Sequence, residues 1–248
     1  MKNLTVLTLA FHQKELTNIL IRSFEKFKPK DLNITYIVVE NSDDISYKKE
    51  TELLADNVKW FNNPEAEPYG GTDANGMGIE FGKKFIEDDY VFVCHTDVAV
   101  THFSFFKEFF NKIDEGYRLV GATKDNDRIN AVHVSGYLTT TELLKKVSAL
   151  ADMPRIDVGD RLTEYCREKE IKYYVFRNTH NEPELYKICN EPYRSLGKGC
   201  GVDRCLNEDD EVMFIHLGRG VAKQQKIYSK FGKLNFNNWI EFTNKEVL

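Results

Sequence analysis

The stretch VFVCHTDVAV, residues 91–100, sets His95 and Asp97 one residue apart at the end of an apolar run. Residues i and i+2 of an extended strand share a face, so both side chains are expected to address one point just beyond the strand. An imidazole beside a carboxylate suits a divalent ion such as Mn²⁺, with coordination positions left for phosphate oxygens. A cation held there would stabilise the charge of a departing diphosphate. The same two residues also fit a packed core histidine and a turn-capping aspartate. Two further apolar runs end in ligand-type residues: ITYIVVEN in Glu40 and Asn41, and EVMFIH in His216. In open α/β sheets ligands gather outside the carboxyl ends of the strands, so three such ends mark one edge as the candidate site.

The elements that must carry these residues follow from periodicity. LTVLTLA (residues 4–10) reads as a buried strand, and Leu16, Ile19, Leu20, Phe24 and Phe27 recur at helical spacing up to Pro29. ITYIVVEN and VKWFNN read as strands. A Gly-rich loop, PEAEPYGGTDANGMGIEFG, passes into a helix expected to carry Met77, Phe81 and Phe85 on one face. DYVFVCHTDVAV is a fourth strand, and Phe103, Phe105, Phe106, Phe109 and Phe110 lie on a helix, for core or acceptor groove. RLVGATK, AVHVSGYLTT, IKYYVF and EVMFIH are expected as strands. A capping-box pattern at Thr139–Glu142 predicts a helix running to Leu150, and Asp160 can cap another. The alternation argues for an α/β fold with a mostly parallel central sheet flanked by helices. Without repeat or linker, residues 1–248 read as a single domain. Residues 177–211 are expected to form a lid with SLGKGCG as hinge, and 221–248 a C-terminal extension whose basic stretch Lys223 to Lys233 is a solvated face.

Composition narrows the field. With 42% hydrophobic residues among 248 the chain can bury a sizeable core, and its formal charge of −5 advertises no nucleic-acid surface. There is no signal-peptide pattern and no apolar run of membrane-spanning length. Five cysteines, an odd count, suggest reduced thiols and a cytoplasmic setting. Cys189, Cys200 and Cys205 with His216 raise a zinc site, but the spacings do not form paired CxxC knuckles.

In order, these motifs resemble glycosyltransferase family 2 and its neighbours of the GT-A (nucleotide-diphospho-sugar transferase) fold. VLTLAFHQKELTNIL resembles the opening strand, nucleotide-side loop and helix, with Leu9, Phe11 and His12 where the family has a proline and a Tyr-Asn pair. YIVVENSDD resembles the second strand with its nucleoside-contacting acid, Glu40 standing for the usual aspartate. YVFVCHTDVAV resembles the DxD strand, His95 replacing the first acid and Asp97 matching the last. VHVSGYLTTTELLKKV matches an acceptor-side segment at Gly136. RIDVGDRLTEYCREKEIKYYVF resembles the segment carrying the catalytic aspartate, and VMFIHLGRG the late strand whose histidine joins the metal.

The resemblance implies a metal-dependent glycosyltransferase, hexosyl- or pentosyl-, that moves sugar from a nucleotide-diphosphate donor to a glycan or other hydroxyl-bearing acceptor. It implies inversion with Asp157, or as second choice Asp160, as general base. It places donor-nucleotide contacts at Phe11, Glu40, Asn41, Gly70, Asn75 and Thr96. It places Mn²⁺ or Mg²⁺ on Asp97, His216 and His95. Two other readings compete. A nucleotidyltransferase shares such a sheet but would carry glycines after the first strand, which LAFHQKE lacks. A non-catalytic nucleotide- or glycan-binding module is compatible with the altered His95 motif and the missing Glu before Asp157. A dinucleotide-dependent oxidoreductase is disfavoured because no GxGxxG follows the first strand.

Overall fold

The computed structural model describes residues 2–124, 129–196, 202–220 and 236–248. Its strands in chain order are β1 (Lys2–Ala10), β2 (Leu32–Glu40), β3 (Val58–Asn62), β4 (Tyr90–His95), β5 (Val98–Val100), β6 (Leu119–Gly121), β7 (Gly136–Thr140), β8 (Tyr173–Val175), β9 (Asp203–Leu206) and β10 (Val212–His216). The α-helices are α1 (Lys14–Phe27), α2 (Lys48–Glu52), α3 (Gly71–Gly82), α4 (Ser104–Asp114), α5 (Thr141–Lys146), α6 (Asp160–Glu168) and α7 (Phe236–Phe242).

Seven strands form the main sheet in the order β3-β2-β1-β4-β7-β6-β8. The β3-β2-β1-β4 half is parallel, β7 runs antiparallel to both neighbours, and β6 pairs parallel with β8. The expected mostly parallel sheet is therefore present. β1 and β4 lie between helix layers, which is why they read as near-continuous apolar runs. On one face α1 and α4 build a core in which Phe24, Phe92, Phe105, Phe109 and Phe214 meet edge-to-face or tilted, save for Phe105 and Phe214, which stack. Phe103, expected on this helix, is the residue ahead of it at the N-cap of α4, exposed and edge-on to Phe27. The opposite face packs against α3, α5 and α6. A second sheet, β5-β10-β9, is antiparallel and hangs from the end of β4.

Helix α3 differs from expectation in its buried face. Ala74, Gly78, Ile79 and Gly82 are buried, while Met77 and Phe81 are half-buried and Phe85 lies in a 3₁₀ turn stacked on Phe61 at 3.7 Å. Glycine costs a helix interior ~1 kcal/mol against alanine, and here it lets α3 lie close on β1 and β2. A Cβ on Gly82 would sit 2.5 Å from Leu7 Cδ1. Gly82→Ala is expected to lose ~1–3 kcal/mol through overpacking. Chemical denaturation would show this as a lowered midpoint.

Two boundaries also move. The cap of α5 is Thr140, which accepts from the Leu143 N–H, one residue later than the Thr139–Glu142 pattern puts it, and the helix stops at Lys146 and not at Leu150. Val147 turns extended, and its carbonyl together with the Ala149 N–H is taken up by Lys83 and Glu80 of the α3 region. Strand β7 begins only at Gly136, where a Cβ would come within 2.9 Å of Phe214.

Candidate active site

β4 ends at His95, and Thr96-Asp97 forms a bend before β5. The convergence of His95 and Asp97 thus comes from a bend, not from the extended geometry the i, i+2 spacing suggests. The antiparallel register sets His216 opposite Val98, next to Asp97. One ligand atom from each of His95, Asp97 and His216 lies within 4.8 Å of the others. Asp97 Oδ1 is 3.4 Å from His216 Nε2 and 3.9 Å from His95 Nδ1.

Three features lock Asp97 and His216. The Gly220 N–H donates to Asp97 Oδ2 at 2.9 Å, and the Leu217 N–H donates to the Asp97 carbonyl at 2.8 Å. Gly220 must be small, since a Cβ there would lie 2.7 Å from Asp97 Cβ. Behind His216, the cross-strand partner Asp203 bonds its Nδ1 at 3.0 Å. The other Asp203 oxygen lies 3.4 Å from His180 Nδ1. With Nδ1–H given to Asp203, His216 would present its Nε2 lone pair to a cation that displaces the proton on that nitrogen. Asp203→Asn keeps the shape but loses the acceptor charge behind the ring. It is expected to weaken cation binding ~10–100-fold, read by calorimetry.

The fit of this cluster to a metal ion rests on its unmet polar atoms. His95 Nε2 and His216 Nε2 are buried without a hydrogen-bond partner, the state buried polar groups avoid. Burial pushes His95 down to about 4, with the Asp97 charge only partly opposing it, so the ring is neutral with a lone pair to offer. Burial also disfavours charge on His216, but the Asp97 and Asp203 carboxylates outweigh it and raise the ring to about 10. Burial opposes ionisation of Asp97 and Asp203 too, yet the neighbouring histidines hold both carboxyls well below the usual range. A proton on His216 sits between two carboxylates where a dication would balance the same charge. The residues therefore fit a divalent cation.

Asp157, in the turn before α6, is half-buried, and its charge acts on His95. Asp160 is buried, and its Oδ2 accepts the Asp157 N–H at 2.8 Å. Gly159, left-handed at φ 82°, occupies the N-cap position that the sequence reading gave to Asp160. Asp160 thus holds the turn from which Asp157 projects.

Of the residues expected to contact a donor nucleotide, Phe11, Glu40 and Asn41 lie at the ends of β1 and β2. Glu40 is fully buried, its Oε1 accepting from the His12 N–H at 3.1 Å and Ser42 Oγ at 2.7 Å, its Oε2 from the Tyr47 hydroxyl. Burial raises its pKa, those three bonds opposing it. Glu40 therefore ties together the loops that follow β1 and β2. Asn41 donates to the Ala74 carbonyl at 2.9 Å and accepts from Asn63, tying β2 to α3. Thr96 donates to Gln13 Oε1 at 2.5 Å, joining the end of β4 to the start of α1. Phe11 is half-buried, edge-on to His12. Gly70 is exposed at the start of α3, and Asn75 is half-buried on its first turns.

Sequence reasoning missed four residues here. Asp203 and His180 are described above. His133 lies with its ring centroid 5.9 Å from those of His95 and His216. Its Nδ1 accepts from the Ser135 N–H at 3.1 Å, so a neutral ring carries its proton on Nε2 and is a donor, not a ligand. Gln13 is buried between Thr96 and the Tyr47 hydroxyl, its Nε2 without a partner. Cys189 and Cys205 are in the hydrophobic core, and Cys189 Sγ donates to the Leu185 carbonyl. His216 belongs to the Asp97 cluster, and Cys200 lies outside the described residues.

Within the 177–211 segment the described part is held by Arg204, which is fully buried. It donates to the carbonyls of Tyr193 and Val202 and to the Tyr186 hydroxyl. Gly197, Gly199 and Gly201, where a hinge was expected, lie outside the described residues, as do Lys223 to Lys233.

A seven-stranded mostly parallel sheet flanked by helices is the architecture of the GT-A fold, and solved structures match it. A mannosyltransferase from Pyrobaculum calidifontis, solved with GDP-Man and Mn²⁺, matches with a TM-score of 0.52 at 12% identity, over 69% of this chain and 54% of that one. Glucosyl-3-phosphoglycerate synthase from Mycobacterium tuberculosis, solved with Mn²⁺, UDP-Glc and phosphoglyceric acid, matches with a TM-score of 0.51 at 14% identity, over 70% and 69%. At such identities the likeness is one of fold. No protein-family model matches the chain, and no curated protein matches it in sequence. No helix among the described residues is long and apolar enough to cross a membrane.

Proposed function

We propose that this protein is a metal-dependent glycosyltransferase that transfers a sugar from a nucleoside-diphosphate donor to an acceptor hydroxyl with inversion. The observation that carries the reading is the convergence of His95, Asp97 and His216, with Asp157 beside them, at the β4 end of a GT-A-type sheet. The neighbouring structures supply support by fold, and two of them hold Mn²⁺ with a nucleotide sugar.

Asp97, His216 and His95 would hold the cation, Mn²⁺ or Mg²⁺, which supplies charge neutralisation of the diphosphate leaving group. Phe11, with the loops closed by Glu40 and Asn41, offers a face for base and ribose. Gly70, Asn75 and Thr96 border the donor phosphates and sugar. Asp157 takes the proton from the acceptor hydroxyl as it attacks the anomeric carbon, on the face opposite the leaving group. Asp160 fixes the Asp157 backbone by accepting its N–H. Residues 177–211 exclude water over the donor, since an open site would hydrolyse it. Residues 1–248 act as one catalytic domain.

A thermal-shift panel of nucleoside diphosphates and nucleotide sugars, with and without Mn²⁺, tests the reading through ligand-linked stabilisation. A shift that needs both cation and nucleotide is expected. Slow release of nucleoside diphosphate from the matching sugar donor, without acceptor, would separate an enzyme from a binding module.

A further inference from the structure

The geometry points to a cation site that selects transition-metal ions over Mg²⁺, with His95 as the residue that sets this preference. The inference rests on the cation site proposed above and narrows its occupant. The donor set is two imidazole nitrogens and one carboxylate, from His95, His216 and Asp97. Mg²⁺ demands a near-ideal shell of oxygens and gives up its waters reluctantly. Imidazole suits the borderline ions, whose affinity for a given nitrogen-bearing site rises from Mn²⁺ through Fe²⁺ and Co²⁺.

Two further observations sharpen the imidazole character. The Nε2 atoms of both His95 and His216 are buried and without hydrogen-bond partners, so neither nitrogen is engaged elsewhere in the protein. Asp203 bonds His216 Nδ1 at 3.0 Å from the side away from Asp97, which makes the opposite nitrogen a stronger donor. The oxygens available are few. Asp97 Oδ2 already accepts the Gly220 N–H at 2.9 Å, leaving Oδ1 as the oxygen closest to the histidines. An aspartate at position 95 would add the hard oxygen donor that His95 removes.

The test is calorimetric titration of chelator-stripped protein with Mg²⁺, Mn²⁺, Co²⁺ and Zn²⁺, in the wild type and in His95→Asp. Wild type is expected to bind Co²⁺ and Zn²⁺ more tightly than Mn²⁺, and Mg²⁺ about 100-fold or more weakly than Mn²⁺. In His95→Asp the Mn²⁺ preference over Mg²⁺ should fall by about tenfold or more. Equal binding of Mg²⁺ and Mn²⁺ by the wild type, or an unchanged ratio in the variant, overturns the inference. Absence of binding by any of the four ions overturns the cation site itself. Should the variant not fold, pulsed electron paramagnetic resonance of Mn²⁺-loaded wild type decides. Couplings from two imidazole nitrogens support the assignment, and a single one refutes it.

Discussion

Asparagine in place of Asp157 is expected to lower turnover by about 10²–10⁴-fold, the usual contribution of a positioned general base. Nucleotide and cation affinities should stay close to wild type, because Asp157 is not one of the three clustered ligand residues. Asparagine keeps the size of the side chain and an oxygen that can accept the Val158 N–H, which Asp157 Oδ1 accepts at 2.7 Å. The turn is held independently by Asp160, which accepts the Asp157 N–H. The fall should therefore appear in kcat, with KM for the donor little changed. Steady-state kinetics on the sugar donor found by the thermal-shift panel would check it. Turnover unaffected by the substitution would remove Asp157 from the chemistry.

Asp97→Asn is expected to remove cation-linked stabilisation. A ligand at 100 times its Kd stabilises the folded state by ~2.7 kcal/mol, and that increment should vanish in the variant. Asparagine retains an acceptor for the Gly220 N–H, so the loop after β10 keeps its anchor. What it loses is the charge that lies 3.4 Å from His216 Nε2 and, with Asp203, favours a cationic partner there. Melting temperatures with and without Mn²⁺ should then coincide. The variant without cation should stay folded but less stable, since His216 is left with one carboxylate in place of two.

Much of this arrangement was legible from residue types at strand ends. Helix α1 and strands β1 to β4 fall where apolar period and Pro29 put them, because α1 buries one continuous stripe and β1, β2 and β4 carry runs buried on both faces. His95 and Asp97 were readable as candidate ligands since strand carboxyl ends in an α/β sheet share an edge, whereas His216 meets them from β10 of the second, antiparallel sheet, through its pairing with β5. Asp203 was not readable. It meets His216 through the antiparallel register of β9 and β10, and no fixed spacing announces a cross-strand pair. His133 reaches the cluster from a stretch ahead of β7 that the sequence reads as strand, and no strand end marks it as a site residue. The α3 face was misjudged because hydrophobicity weights Phe81 and Phe85, whereas closeness to the sheet is set by Gly78 and Gly82. Glu40 was legible as a strand-end acid, but its closure by Tyr47 depends on a side chain seven residues on, folded back over the end of β2.

The central claim is that a cation held by Asp97 and the two histidines creates the diphosphate site. Calorimetric titration of UDP and GDP into chelator-stripped protein, with and without Mn²⁺, tests it most directly. At least one of the two nucleotides should bind about tenfold or more tightly with Mn²⁺, a gain of ~1.4 kcal/mol or more, and Asp97→Asn should erase the difference. Affinities for both nucleotides that are the same with and without Mn²⁺ in the wild type would contradict the account.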